Sequence, residues 1–135
     1  MAFKQLPDCS FVLDQSQYIK QKLQEFRKYF GQGGVSTPLP LDYTRLLVSA
    51  ASENEDKQNT NDEDDTVDEK EFPYRQIVGS LMYAMLGTRP DLAAAVSLAS
   101  KYLSNPKRAH IKLVQHILKY LNVNTNYQLH LSTAL

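Results

Sequence analysis

Seven cations occupy spacings that would place them on helix faces. Lys20, Lys22, Arg27 and Lys28 fall in one candidate helix, and Arg108, Lys112 and Lys119 follow at i, i+4 and i+11 in another. Exposed ammonium and guanidinium groups in this pattern suit contacts with a phosphate backbone, which require surface charge and no fixed pocket. Such binding is independent of base sequence and weakens as salt rises. The bland alternative is two ordinary solvated helix faces, because Lys and Arg are mostly surface residues.

Other chemistries find less support. His110, His116 and His130 with Cys9 are the soft or imidazole ligands available, yet no pair shows a tight His-x3-His spacing. A metal site needs three or four convergent ligands. His110 falls on an apolar helix half and is expected to be a hydrogen-bonded core residue. The acids Asp62 to Asp65 lack the alternating oxygens, central glycine and closing glutamate of a calcium loop. Gly79-Ser80 sits inside a helix stripe, with no Gly-x-Ser-x-Gly elbow for a nucleophile. Arg89 and Asp91 stand at a helix start, where anions are favoured, but a capping Asp and an Arg paired with a nearby acid explain them equally. No cofactor, metal or small-molecule substrate is expected.

The elements that would hold the cations are mainly helices. Ile19, Leu23, Phe26 and Phe30 recur at i, i+4, i+7 and i+11, an amphipathic stripe ending at Gly31, and Asp14 with Gln17 forms a usable capping box. From Phe72 to Leu121 the chain reads as three helices. Tyr74, Ile77, Val78, Leu81, Met82 and Met85 stripe the first, and Gly87 suits a positive φ just past its end. Thr88 is expected to accept the Asp91 N–H as the second helix begins at Pro90. That helix, running to about Leu103, is alanine-rich and permits close packing. Asn105 and Pro106 mark the start of the third, whose wheel puts His110, Leu113, Val114, Ile117 and Leu121 on one half and the cations on the other. Cys9 to Asp14 and Tyr127 to Leu131 alternate as short strands, and pairing them with each other would remove an open edge. The fold class is therefore mainly α with two short β-strands.

Net charge is zero, but Glu53 to Glu71 holds ten acids against Lys57 and Lys70, a net of −8, which leaves +8 on the rest. That acidic stretch has almost no apolar residue to offset its ordering entropy and reads as a flexible, disordered linker or a weak competitor for the basic surface. The boundaries that follow are 1–40 for a strand-helix piece, 41–71 for the linker, with a short helix at 41–51, and 72–135 for a three-helix segment with a terminal strand. The single Cys9 excludes an internal disulfide framework and favours a reducing compartment. No stretch approaches the apolar length of a membrane span, and the first ten residues lack a signal-peptide core, so the expected location is intracellular, cytoplasmic or nuclear, with no membrane partner. Apolar residues such as Phe26, Phe30 and Met85 are expected to expose surface that supports self-association.

Tyr74-Arg75, Gly79-Ser80-Leu81-Met82-Tyr83, Thr88-Arg89-Pro90-Asp91, Ser104-Asn105-Pro106, His110 and Ile117-Leu118-Lys119-Tyr120-Leu121, in this order and spacing, resemble Pol polyproteins of copia-type LTR retrotransposons. The matching stretch there lies between reverse transcriptase and RNase H. Leu13-Asp14-Gln15-Ser16-Gln17-Tyr18-Ile19 and Thr37-Pro38 are similar to the end of that family's polymerase domain, a strand leading into a thumb-like helix. The resemblance covers roughly residues 9 to 40 and 72 to 132. It implies a role along the primer-template backbone, RNA–DNA or DNA duplex, strongest for Lys20, Lys22, Arg27 and Lys28. The family's Tyr-x-Asp-Asp word is absent, Asp64-Asp65 have no flanking strands, and RNase H carboxylates would lie beyond Leu135. The sequence thus reads as a non-enzymatic piece between two active sites, with a small helical protein-interaction module as the alternative.

Overall fold

The structure, a computed structural model, describes residues 2–45, 68 and 70–132. Most of the acidic stretch lies outside them, as does the expected 41–51 helix beyond residues 43–45, which are helical. In chain order the elements are β1 (Ala2–Gln5), β2 (Phe11–Asp14), α1 (Ser16–Phe30), α2 (Tyr74–Gly87), a 3-10 turn (Pro90–Leu92), α3 (Ala93–Ser100), α4 (Arg108–Val123) and β3 (Leu129–Leu131). The fold is mainly α, as the periodicities require.

Helix α1 forms because its apolar residues recur on one side, and all four of the expected stripe, Ile19, Leu23, Phe26 and Phe30, are buried. They meet Ile77, Val78, Leu81 and Ala84 of α2, Ala95, Val96 and Ala99 of α3, and Leu113, Val114, Ile117, Leu118 and Leu121 of α4 in one cluster. Residues on both sides of the acidic stretch therefore share one core. Burying each large aliphatic or aromatic side chain contributes about 1.5–3 kcal/mol before entropy is set against it. Phe26 and Phe30 belong to this core at 2% and 4% exposure and Met85 packs against it, so none offers the open apolar face expected of it.

The sheet holds three strands in the order β1-β2-β3, one more than the two read from the sequence. β2 pairs antiparallel with β3, Leu13 opposite Leu129 and Phe11 opposite Leu131, so the expected partnership forms. β1 was missed because Ala2–Gln5 is exposed along its whole length and carries only Phe3 as a large apolar residue. It is held by pairing with β2, with Phe3 opposite Leu13 and the Phe3 and Phe11 rings 5.1 Å apart. This register collects Phe3, Phe11, Leu13, Leu129 and Leu131 on one face of the sheet. None of the five belongs to the buried cluster.

Four local expectations need correction, two because of a long-range contact with Gln15 and two because a different local hydrogen bond forms. Asp14 accepts the Ser16 N–H at 2.7 Å, and α1 starts from Gln15 without the Asp14–Gln17 box. Thr88 does not cap; its hydroxyl donates to the buried Gln15 Oε1 at 2.8 Å. Gly87 is not among the described glycines with positive φ; a Cβ there would lie 2.4 Å from Gln15 Nε2, so glycine is needed for close approach. The second helix begins as the 3-10 turn at Pro90 and its α part ends at Ser100, short of Leu103, while α4 starts at Arg108 rather than Pro106 because His110 Nδ1 accepts the Lys107 N–H at 3.0 Å.

Candidate nucleic-acid interface

Two basic grooves flank the contact between α1 and α4. The first opens where the end of α1 meets the starts of α2 and α4, and there Lys28, Arg108 and Lys112 converge. Its floor is Tyr29 and Phe72, an edge-on ring pair 5.7 Å apart, and Lys28 Nζ stands 4.9 Å over the Tyr29 ring. Gln115 Nε2 donates to the Tyr29 carbonyl at 2.8 Å, satisfying a group that the last turn of α1 leaves without an intrahelical partner. That bond fixes Lys28 relative to Arg108 and Lys112. Glu71 forms part of the wall and is the one acid in it among the described residues.

The second groove holds Lys20 and Arg27 of α1 beside Asn122 and Thr125 at the far end of α4. Arg27 donates to Asn122 Oδ1 at 3.3 Å and lies 5.8 Å over the Phe30 ring, which orients its guanidinium without burying it. Lys22 stands apart, 3.2 Å from Glu25 and over the Tyr18 and Phe26 rings. Lys119 is half-buried on α4 and lines neither groove. Of the seven sequence-selected cations the structure thus joins three, joins two more, and leaves two outside. Tyr29, Gln115 and Glu71 were missed, because which side chains of α1 and α4 meet depends on how the helices cross.

Arg89 is the largest fully buried side chain, at 0% exposure. Its Nε and Nη2 donate to the two Asp91 carboxylate oxygens at 3.1 and 2.9 Å, and Nη1 donates to the Asn124 carbonyl at 2.6 Å, closing the end of α4. The Tyr120 hydroxyl donates to Asp91 Oδ2 at 2.6 Å, and the Tyr127 ring lies 5.1 Å from the guanidinium. With both ends of the guanidinium engaged and no surface left, Arg89 and Asp91 form a clamp between the α2–α3 corner and the end of α4. Burial alone would raise the Asp91 pKa, but hydrogen bonds from Arg89 and Tyr120 and the Arg89 charge outweigh it and hold the pKa below the usual carboxylate value. Burial, then the bond to Asp91, pushes the Tyr120 hydroxyl up to about 12. Two pH windows follow. A lowered carboxylate stabilises the fold above its unfolded pKa and loses that contribution as pH falls through its native one. A raised phenol stabilises below its unfolded pKa of about 10 and loses that as pH climbs toward about 12. Urea midpoints are expected to drop below about pH 4 and above about pH 10, with Tyr120→Phe reducing the alkaline loss.

His110 and His130 are structural. His110 is buried and stacks on Tyr102 with 3.7 Å between ring centres. His130 Nε2 lies 3.0 Å from Ser10 Oγ, and Ser10 Oγ donates to Asp8 Oδ1. The residue types are those of a hydrolase, but the carboxylate takes the serine proton and Ser10 is 1% exposed, so the trio ties the β1–β2 turn to β3. Among the described residues no group of three or more His, Cys, Asp or Glu could hold a metal ion, and no helix is long and apolar enough to cross a membrane.

The chain is 37% identical over 113 residues, 84% of its length, to a retrovirus-related Pol polyprotein from the transposon TNT 1-94 of Nicotiana tabacum. Retrotransposon Pol polyproteins of Arabidopsis thaliana are also among its relatives. A putative transposon Ty5-1 protein of Saccharomyces cerevisiae is 39% identical over 36% of the chain and 16% of its own length. A secreted RxLR effector protein of Plasmopara viticola is 42% identical over 65 residues, 48% of this chain and 46% of the effector. The chain spans 8% of the tobacco polyprotein, so it corresponds to a small part of such a polyprotein. No family model and no solved structure matches.

Proposed function

We propose that the chain is a non-catalytic segment of a retrotransposon reverse transcriptase polyprotein, running from the end of the polymerase domain through the connector toward RNase H, and that it holds a nucleic-acid backbone without reading bases. The observation that carries this is the convergence of Lys28 with Arg108 and Lys112, eighty or more positions apart in sequence, in one groove. A cation triad assembled from two helices presents charge to a phosphate run. Phe72 is buried and Lys28 covers the Tyr29 ring, so neither aromatic is offered for base stacking. Titration against an RNA–DNA hybrid at several salt concentrations tests the reading. Log affinity is expected to fall linearly with log salt with a slope of about −2.7 to −4.5, for the three to five cations in the grooves at about 0.9 each. A slope near zero sinks it.

A second reading, a small helical protein-interaction module, is favoured by the apolar sheet face of Phe3, Phe11, Leu13, Leu129 and Leu131, with Phe3 66% and Leu131 48% exposed. Self-association through that face belongs to the same reading. A protein complex of defined stoichiometry, together with indifference to the hybrid, would replace the first reading with this one.

A further inference from the structure

The segment after α1 is laid along α4 in a fixed register. Asn122 Nδ2 donates to the Gly33 carbonyl at 3.3 Å. At Gly34 an added Cβ would lie 1.9 Å from Val123 Cγ2 and 3.7 Å from the Lys119 carbonyl, so backbone rests directly on the helix. Val35 packs against the core, and His116 Nε2 lies 2.9 Å from the Thr37 carbonyl. Residue 37 is thereby held over His116, with Lys112 four positions before and Lys119 three after on the same side of α4. Thr37 itself is exposed, its hydroxyl donates only locally to the Leu39 carbonyl at 2.9 Å, and Pro38 follows it.

We propose that Thr37 is a phosphorylation site for a proline-directed kinase, and that its phosphate docks onto α4 against His116, Lys112 and Lys119. This rests, for its consequence but not for its chemistry, on Lys112 being part of the nucleic-acid interface. The Thr37 oxygen attacks the γ-phosphorus of a nucleoside triphosphate; the new O–P bond replaces the bridge to the β-phosphate, the diphosphate leaves, and the hydroxyl proton passes to the kinase's base. The product adds nearly two negative charges and three acceptor oxygens beside three groups able to donate. A phosphate already paired with Lys112 competes with the nucleic-acid backbone for it. Modification is therefore a brake on the first groove.

The test treats the full chain with a purified proline-directed kinase and ATP, using Thr37→Val as the unmodifiable control. Mass spectrometry is expected to place one phosphate on Thr37, and proton NMR of the modified chain to show the His116 ring signals displaced from their positions in the unmodified chain. The slope of log hybrid affinity against log salt is expected to shrink by about 1, for the loss of Lys112. No incorporation at Thr37 under conditions that modify a peptide of residues 31–45 overturns the site, and incorporation with an unmoved His116 overturns the docking. Failure of the unmodified chain to bind hybrid removes the nucleic-acid reading alone, because the mass and the His116 ring signals make no use of nucleic acid; the site then stands without its consequence.

Discussion

Replacing Arg89, the largest fully buried side chain among the described residues, with alanine is expected to destabilise the fold by about 3 kcal/mol. Removing one partner of a buried ion pair costs about 3–5 kcal/mol because the remaining charge is left without compensation. Here the lower end applies, since the Asp91 side chain is 32% exposed and can recover water. The Asn124 carbonyl at the end of α4 also loses its donor, and the space of a fully buried side chain is left open. Arg89→Lys keeps the charge but one ammonium cannot span both Asp91 oxygens and the Asn124 carbonyl, so an intermediate loss is expected. Tyr120→Phe removes a single bond to Asp91 and should cost about 1 kcal/mol. Against a typical total of about 5–15 kcal/mol, the alanine variant loses between about a fifth and three fifths of the stability of the fold. Urea unfolding followed by circular dichroism reads all three, and an alanine variant within about 0.5 kcal/mol of the parent would show that the clamp contributes little.

The contrast between Arg89 and the α1 stripe says what a sequence discloses. Ile19, Leu23, Phe26 and Phe30 declare a buried face through spacing alone, because helix geometry is local and the core lies on one side. The β2–β3 pairing was legible for a similar reason: alternation around Phe11, Leu13 and Leu129 leaves an apolar row that needs a neighbour. β1 was not, since its four residues have little alternation and their order depends on a partner. The capping errors have two causes, since Asp14 instead accepts the Ser16 N–H two positions on and Thr88 is drawn away by a distant partner. Thr88 and Asp14 are competent caps in isolation, but Gln15 reaches the Thr88 hydroxyl across 73 positions, and no local rule weighs such a contact. At the interface the same division holds. Each helix's positive charge was visible as a row, whereas the selection of Lys28 with Arg108 and Lys112, and the exclusion of Lys22 by Glu25, follows from helix crossing and side-chain pairing.

Charge reversal of that selected set separates a binding groove from a solvated face. Lys28→Glu combined with Arg108→Glu and Lys112→Glu is expected to lower affinity for an RNA–DNA hybrid by two to three orders of magnitude at about 0.1 M salt, since each phosphate contact contributes close to one decade there, and to reduce the salt slope by about 2.7. Lys20→Glu with Arg27→Glu in the second groove should cost less, because it removes two cations and Arg27 is already bonded to Asn122. Lys22→Glu is the informative control. It reverses a charge on the same helix, but Lys22 lines neither basic groove and faces Glu25, so its effect should stay within about threefold. All of these positions are exposed or half-buried, so the variants should keep the parent's helical circular dichroism. A loss that scales only with the number of charges reversed, equal for Lys22 and Lys28, would mean that net charge and not the groove governs binding.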